Sequence, residues 1–202
     1  MPRFTGSTDT LMVLMASELS VDSLDRVSSE VRGCPLCKLS KTRKNAVPGE
    51  GYHSAKILFV GEAPGKKEDE EGKPFVGQAG RILDKALSKA GIKRSEVYIT
   101  NVVKCRPPKN RRPEEDELSA CKQYLERQIF LILPKIICIL GGTAYFSLLG
   151  GQSIMANRGK IVEKDGKKFF LTIHPAAAIY NKSMLSTLEN DLSSLASKIR
   201  DI

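Results

Sequence analysis

Four cysteines in this 202-residue chain have a spacing that favours metal binding. Cys34 and Cys37 form a C-x-x-C pair, whereas Cys105 and Cys121 come much later in the chain. Four thiolates can hold either a zinc ion or a 4Fe–4S cluster. The spacing lacks the second C-x-x-C pair of many zinc sites, but by itself it leaves both groups open. The fifth cysteine, Cys138, lies inside an apolar run, where we expect it to fill space in a buried strand.

Three further polar residues, Glu62, Asn101 and His174, each come at the end of a predicted strand. An asparagine or a histidine at such a point commonly caps a turn, so each residue alone has an ordinary structural explanation. If the strands are parallel, however, all three side chains meet at the carboxyl edge of the sheet, where α/β domains bind their ligands. The sequence therefore predicts a functional site at this edge.

A glycine-rich stretch, Gly61–Gly80, borders that predicted site. It carries five glycines, a run of charged residues at Lys66–Glu71 and one aromatic residue, Phe75. Glycine lets a ligand approach the backbone closely. We expect a long loop here, between a strand and an amphipathic helix. The charged run alone is also typical of a solvated surface loop.

The elements that must position these residues alternate between strands and helices. This alternation predicts the α/β class, as a three-layer α/β/α sandwich with a central, mainly parallel sheet of about four strands. The predicted strands cover residues 57–60, 97–100, 135–140 and 169–173. Apolar residues at three-four spacing predict helices at residues 21–32, 82–90, 113–132 and 185–199.

Local signals mark several boundaries of these elements. Pro113 precedes three acidic residues, which predicts a helix with the proline at its first position. Cys121 falls on the apolar face of this helix and should point inward. The pair Asp165-Gly166 predicts the tight turn of a hairpin.

The charge balance of the chain favours an anionic partner. A formal net charge of +9 leaves a surplus of cationic side chains, and nucleic acid is the first partner to consider. No apolar run approaches the roughly 20 residues of a membrane span. We expect a cytoplasmic, nucleoid-associated protein with a poorly ordered N-terminal extension at residues 1–20 and a single domain at residues 21–202.

Four motifs, in this order along the chain, give a specific resemblance. They are GEAPG at 61–65, PFVGQAG at 74–80, TNVVKCRPP at 100–108 and HPAAA at 174–178. Together with the four cysteines, they resemble the family 4 uracil-DNA glycosylases, the iron–sulfur branch of the uracil-DNA glycosylase superfamily. The resemblance implies base-excision repair, in which hydrolysis of the N-glycosidic bond of deoxyuridine releases uracil and leaves an abasic site. The alternative is a DNA-binding iron–sulfur protein that captures uracil sites with little turnover.

The resemblance also implies how the base is recognised. Phe75 would stack on a uracil that has been extruded from the duplex. The Asn101 amide would accept a hydrogen bond from uracil N3–H and donate one to O4, whereas cytosine presents the opposite pattern. Glu68 would form the wall beside C5, where thymine carries its methyl group.

For bond cleavage, the resemblance assigns the main role to His174. This residue would donate a hydrogen bond to the negative charge that develops at uracil O2, assisted by backbone N–H groups of Glu62 and Ala63. In the better-known family 1 enzymes an aspartate for the attacking water stands where this chain has Ala63. Glu62 or Glu68 is therefore the candidate for orienting water, and we rank Glu62 first for contact with the base and its water. The alternative is a reaction that relies on stabilisation of the anion, with a loosely held water as the nucleophile.

Two segments are expected to contact DNA. The loop after the second predicted strand is the most basic part of the chain, and we assign it to phosphates, although such a loop is also typical of a solvated face. The second segment, residues 176–180, resembles the loop with which the family probes the duplex. The resemblance implies that Ile179 or Tyr180 would wedge into the gap left by the flipped base. The cationic residues of the loop are Lys104, Arg106, Lys109, Arg111 and Arg112.

The resemblance selects a 4Fe–4S cluster for the four cysteines, with a structural role. It would tie the N-terminal helix to the sheet edge, and the chemical step would need no metal. The expected partner is uracil-containing DNA, with no membrane. We expect a monomer, and a sliding clamp is a candidate protein partner.

Overall fold

The chain folds around a central sheet that has helices on both sides. A computed structural model describes residues 22–200, so the extension predicted at residues 1–20 lies outside the described residues. The predicted α/β class is confirmed. Within the described range, no helix is long and apolar enough to cross a membrane.

Six strands form one sheet among the described residues. They are β1 (Glu50–Gly51), β2 (Ile57–Gly61), β3 (Tyr98–Asn101), β4 (Ile136–Leu140), β5 (Ile161–Lys164) and β6 (Lys167–Thr172). Their spatial order is β1-β3-β2-β4-β6-β5. The four inner strands are parallel, as predicted, while β1 and β5 are antiparallel edge strands in addition to them. The predicted turn at Asp165-Gly166 joins β5 to β6, and both of its residues have positive φ angles.

Eight α-helices lie before, between or after these strands in the described part of the chain. They are α1 (Leu24–Gly33), α2 (Lys66–Glu71), α3 (Gln78–Lys89), α4 (Glu115–Ile132), α5 (Gly142–Leu149), α6 (Ile154–Asn157), α7 (Ala177–Tyr180) and α8 (Ser183–Lys198). Short 3-10 turns occupy residues 38–41, 94–96 and 108–110.

The expected long loop after β2 is interrupted by a helix. The charged run that suggested a solvated loop forms α2 instead, so the prediction of loop structure is wrong for these residues. Two contacts explain the difference. The Glu68 carboxylate accepts the Gly65 N–H in the first turn, and the Gly72 φ angle of 70° ends the helix.

The long helix α4 begins later than its proline suggested. Pro113 lies before the helix rather than at its first position, so that prediction is wrong. The start is set instead by Glu117, whose carboxylate accepts the N–H of the capping residue Glu114 at 2.8 Å. Cys121 is buried on the inner face of this helix, as predicted.

Both faces of the sheet are covered, which explains why the inner strands are apolar along their length. On one face, Ile57 and Phe59 share a core with α3 and α8. On the other face, Leu58 and Val60 share a core with α4. Cys138 is fully buried in the first core, which confirms that it fills space in a strand.

The parallel strands bring their carboxyl ends to one edge of the sheet. Gly61, the last residue of β2, is the register partner of Asn101, the last residue of β3. His174 follows the end of β6 by two residues, and β4 separates β6 from β2. The fold thus places the three predicted strand-end residues along this edge.

Candidate active site

A cleft of about 610 Å³ opens at the carboxyl edge of the sheet. It brings together the residues that the sequence predicted for base binding and catalysis. They are Glu62, Ala63, Glu68, Phe75, Asn101 and His174. The predicted convergence of strand ends is therefore found in the structure.

The wall formed by Phe75 depends on two glycines. A Cβ atom on Gly61 would lie 2.7 Å from Phe75 Cζ and 2.5 Å from Asn101 Oδ1, and a Cβ on Gly80 would lie 1.9 Å from the Phe75 carbonyl oxygen. Phe75 itself has a φ of 51°, a conformation that is costly for an aromatic residue. Such strain persists only where neighbouring structure enforces it, and it often occurs at binding sites.

Glu68 helps to hold the Phe75 backbone in this conformation. Its carboxylate accepts backbone N–H groups from Gly65 at 3.1 Å, Val76 at 3.0 Å and Gly77 at 2.8 Å. These bonds tie the start of α2 to the segment that follows Phe75. The geometry favours Glu68 as the residue that shapes the cleft wall rather than as the one that orients water.

Glu62 is the more available carboxylate. It lines the cleft and is half-buried. Its carboxylate has no hydrogen-bond or ion-pair partner among residues 22–200. The ranking of Glu62 above Glu68 for contact with a water molecule stays a prediction.

Asn101 presents an unpaired acceptor to the cleft. The residue is 1% exposed. Its Oδ1 is the one buried side-chain polar atom in the described part of the chain that lacks a hydrogen-bond partner. Leaving a buried acceptor unpaired costs about 1–3 kcal/mol, so such an atom calls for a ligand donor.

His174 is held as a neutral hydrogen-bond donor. Its Nδ1 accepts the Ala176 N–H at 3.2 Å, so the proton of the neutral ring is on Nε2. Burial lowers the pKa of His174 to about 4, although the Glu68 carboxylate acts in the opposite direction. The ring lies 5.7 Å, centre to centre, from the Phe75 ring. At neutral pH the site therefore offers a single imidazole N–H beside an aromatic wall.

Three of the four predicted metal ligands, Cys34, Cys37 and Cys105, pack together in a small core beside α1. All four cysteines are free thiols, and three of them are buried, whereas Cys37 is partly exposed. Cys34 directly follows α1, Cys121 lies in α4 and Cys105 follows β3. None of them lines the cleft.

Two of the four sulfur atoms accept a hydrogen bond from a nearby donor. The Arg43 guanidinium donates to Cys105 Sγ at 3.0 Å, and the Lys104 N–H donates to Cys121 Sγ at 3.4 Å. Burial raises the pKa of the Cys121 thiol to about 11 and also raises that of Cys105. A coordinating metal is what makes such thiols deprotonate, so the donor set fits a thiolate-bound metal group.

The separation of the sulfurs bears on the choice of metal group. In the described residues, no three cysteine sulfurs lie within 4.8 Å of one another. A tetrahedral zinc ion with Zn–S bonds of about 2.3 Å would hold its sulfurs roughly 3.8 Å apart. The described cysteines therefore do not form a preassembled tetrahedral zinc site.

Lys104 does not belong to the predicted phosphate-binding surface. It is 1% exposed. Its Nζ donates to Thr100 Oγ1 at 2.6 Å, to the Asn101 carbonyl oxygen at 2.8 Å and to Gln128 Oε1 at 2.7 Å. The prediction that Lys104 contacts DNA phosphates is wrong, because three protein acceptors hold its ammonium group inside the protein. The neighbouring valines at 102 and 103 were the signal in the sequence that this part of the motif is buried.

The other cationic residues of the loop remain near the surface. Lys109 and Arg112 are exposed, and the Arg106 side chain donates to Asn110. Arg111 lines the cleft, but both of its terminal nitrogens donate to the Glu117 carboxylate. A phosphate contact by Arg111 would therefore compete with this ion pair.

The predicted wedge residues lie at the rim of the cleft. Both Ile179 and Tyr180 line it, at the end of α7. Tyr180 is 90% exposed, which is unusual for a tyrosine in a folded domain. The structure thus leaves this ring free above the cleft.

We expect His174 to titrate with a pKa of about 4, well below its ordinary value of 6.5. The unfolded chain takes up this proton at a higher pH than the folded chain does. This difference in pKa between the folded and unfolded chain contributes to the free energy of unfolding. The contribution is complete above about pH 6.5 and is lost as the pH falls toward 4. Histidine-selective NMR titration measures this pKa, and His53→Gln leaves one signal because the chain has two histidines. A value near 6.5 would contradict the buried, neutral ring.

Comparison with known proteins places this cleft in a family. A family model described as the uracil DNA glycosylase superfamily matches residues 48–195. A type-4 uracil-DNA glycosylase of Sulfurisphaera tokodaii is 52% identical over 192 residues, which cover 90% of this chain and 86% of the relative. Similar proteins of the same name occur in Saccharolobus solfataricus (51% identity over 181 residues; 85% and 84% covered) and Archaeoglobus fulgidus (44% over 184; 87% and 92%). The chain therefore belongs to the uracil-DNA glycosylase superfamily, in its type-4 branch.

Proposed function

We infer that this protein excises uracil from DNA. It hydrolyses the N-glycosidic bond of deoxyuridine, releases uracil and leaves an abasic site. Family membership supports this reaction over most of the chain. The observation in the structure that carries the proposal is the unpaired Oδ1 of Asn101, a buried acceptor that faces the cleft.

Access to the reacting bond requires the nucleotide to leave the duplex. Extrusion costs a few kcal/mol, which contacts in the pocket and at the gap must offset. Phe75 offers an aromatic surface on which the base stacks. Ile179 and the exposed Tyr180 ring lie at the rim, which supports their proposed role as a wedge between base pairs.

Exposed Lys109 and Arg112 are proposed to contact phosphates, together with Arg106. Arg111 would join them when its ion pair with Glu117 opens.

Base selection follows from the hydrogen-bonding pattern of the Asn101 amide. Its Oδ1 accepts from uracil N3–H, and its Nδ2 donates to O4. Cytosine has an acceptor at N3 and an amino donor at C4. The Oδ1 acceptor of the same amide would therefore face the N3 acceptor, and its Nδ2 donor would face the amino donor. Because the amide is buried, each mismatch leaves an unpaired polar atom and costs about 1–3 kcal/mol.

Bond cleavage leaves negative charge on the departing base, largely at O2. The Nε2–H of neutral His174 donates a hydrogen bond to this oxygen, and the backbone N–H groups of Glu62 and Ala63 assist. Water attacks the sugar carbon as its bond to uracil N1 breaks, and the uracil anion then takes up a proton. Glu62 is the proposed carboxylate that orients this water.

A 4Fe–4S cluster is proposed for the four cysteines. When bound, it supplies a covalent tie between the end of α1, the loop after β3 and α4. The burial of three of the four cysteines and their position outside the cleft lining support a bound metal group with a structural role. Arg43 would stabilise the anionic thiolate of Cys105 through its N–H.

One chain supplies every residue proposed for the cleft, which supports action as a monomer. We place this action on chromosomal DNA in the cytoplasm. A sliding clamp is a candidate partner, and co-elution with the purified clamp would reveal such a complex.

We expect the purified protein to release uracil from an oligonucleotide that contains one deoxyuridine. Alkaline cleavage of the abasic product and chromatography of the free base measure the reaction under multiple-turnover conditions. Stable capture of the DNA without released uracil would instead support the alternative of a uracil-binding protein with little turnover.

Replacing Asn101→Asp in the same assay should lower the preference for uracil over cytosine at least tenfold, because a carboxylate cannot donate to O4. Asn190→Asp on the exposed face of α8 introduces the same charge and serves as the matched control. An unchanged preference in Asn101→Asp would remove this residue from base selection.

We expect the protein to be brown, with absorption near roughly 400 nm and four irons per chain. Cys121→Ser should lose most of this absorption and lower the melting temperature, whereas Cys138→Ala should retain the colour because Cys138 lies in the core of the sheet. Elemental analysis and visible spectroscopy measure both properties. A colourless protein with one zinc per chain would contradict the cluster.

A further inference from the structure

Lys104 is a buried lysine that the proposed reaction leaves without a role. Burial lowers the pKa of its ammonium group to about 7, so the oxygen atoms around it must stabilise the charged form. Its ammonium group contacts the last two residues of β3, through Thr100 Oγ1 and the Asn101 carbonyl oxygen, and it also contacts Gln128 of α4. An ammonium has three N–H donors, and these three acceptors use all of them. The lysine therefore joins the end of β3 to α4 inside the protein.

The surrounding bonds leave each acceptor free for the lysine. The Thr100 hydroxyl donates to the Pro48 carbonyl oxygen at 2.8 Å, so its oxygen accepts from Lys104. The Gln128 Nε2 donates to the same carbonyl at 2.8 Å, so its Oε1 faces the ammonium. Burying a charge costs several kcal/mol, and an apolar side chain would fill the space without that cost. The network thus indicates that the role of the lysine is to hold its three acceptor groups in place.

The main chain of Lys104 is also held on both sides. Its carbonyl oxygen accepts the Val47 N–H at 2.7 Å, and its own N–H donates to Cys121 Sγ at 3.4 Å. Cys105, another proposed metal ligand, is the next residue. The side chain that contacts the end of β3 is therefore anchored beside the cysteine site.

Asn101 depends on this anchor because its side chain has no tether at Oδ1. Its position is set through the backbone. The pairing of Asn101 with Gly61 fixes one side, and the bond from Lys104 Nζ to the Asn101 carbonyl oxygen fixes the other. A shift of about 1 Å in such a group is enough to spoil a recognition geometry.

We propose that Lys104 is a positioning residue that holds Asn101 in the orientation that reads uracil. The inference rests on the proposed function, because it takes Asn101 as the group that binds the base. Lys104 itself touches neither base nor DNA. Its removal should therefore weaken binding of the base while the binding of DNA phosphates is retained.

The test compares Lys104→Met with Lys85→Met, which removes an exposed lysine from α3. The measured quantities are the inhibition constant of free uracil, the affinity for DNA without uracil and the iron content of each purified protein. Lys104→Met should weaken uracil binding at least tenfold, with DNA affinity and iron content within twofold of the parent. Lys85→Met should change none of the three. Unchanged uracil binding in Lys104→Met would overturn the proposal.

A double-mutant cycle with Asn101→Ala separates positioning from general loss of structure. If Lys104 acts through Asn101, Lys104→Met should have less than a twofold effect on uracil inhibition once Asn101 is alanine. Equal effects in both backgrounds would show that the lysine acts elsewhere, and would also overturn the proposal.

Thr100→Val provides a milder variant should Lys104→Met fail to fold. It removes one acceptor of the ammonium while keeping the shape of the side chain. It should weaken uracil binding about threefold when Asn101 is present, and it should have no effect in the Asn101→Ala variant. Uracil inhibition equal to that of the parent would overturn the proposal. Failure of the parent protein to bind or excise uracil would instead reject the proposed function, so the two failures are distinguishable.

Discussion

The parallel pairing of β2 with β3 is the constraint on which the site depends. It sets Gly61 directly beside Asn101. A Cβ atom at position 61 would lie within 2.7 Å of both the Asn101 oxygen and the Phe75 ring, so the absence of a side chain there creates the space for both. The Phe75 ring and the Asn101 amide therefore lie together where β2 ends in a glycine.

The base pocket and the cysteine site are linked by one short segment of chain. Residues 101–105 begin with the amide that faces the cleft and end with a proposed metal ligand. Between them, Lys104 turns its ammonium back to the end of β3 while its N–H contacts Cys121. The cysteine site thus adjoins the backbone from which Asn101 projects, although none of its residues lines the cleft.

The sequence was sufficient for the inner sheet and for the meeting of Glu62, Asn101 and His174, because apolar strand runs and residues at strand ends report directly on a parallel α/β topology. It did not predict the contacts that hold the site in shape. Charge suggested an exposed loop at α2 and a phosphate contact for Lys104. In the structure, backbone N–H groups satisfy Glu68 and three protein oxygens satisfy Lys104. Such pairings join residues that are distant in sequence or depend on local backbone geometry, so residue type alone does not reveal them.

The proposed recognition of uracil depends on one hydrogen bond, in which the N3–H of the base donates to the unpaired Oδ1 of Asn101. Its most direct test is calorimetric binding of uracil and of 3-methyluracil, in which a methyl group replaces that N–H. Uracil should bind, and 3-methyluracil should bind at least a hundredfold more weakly, because a buried acceptor would be left unpaired against a methyl group. Equal affinities for the two compounds would contradict the account.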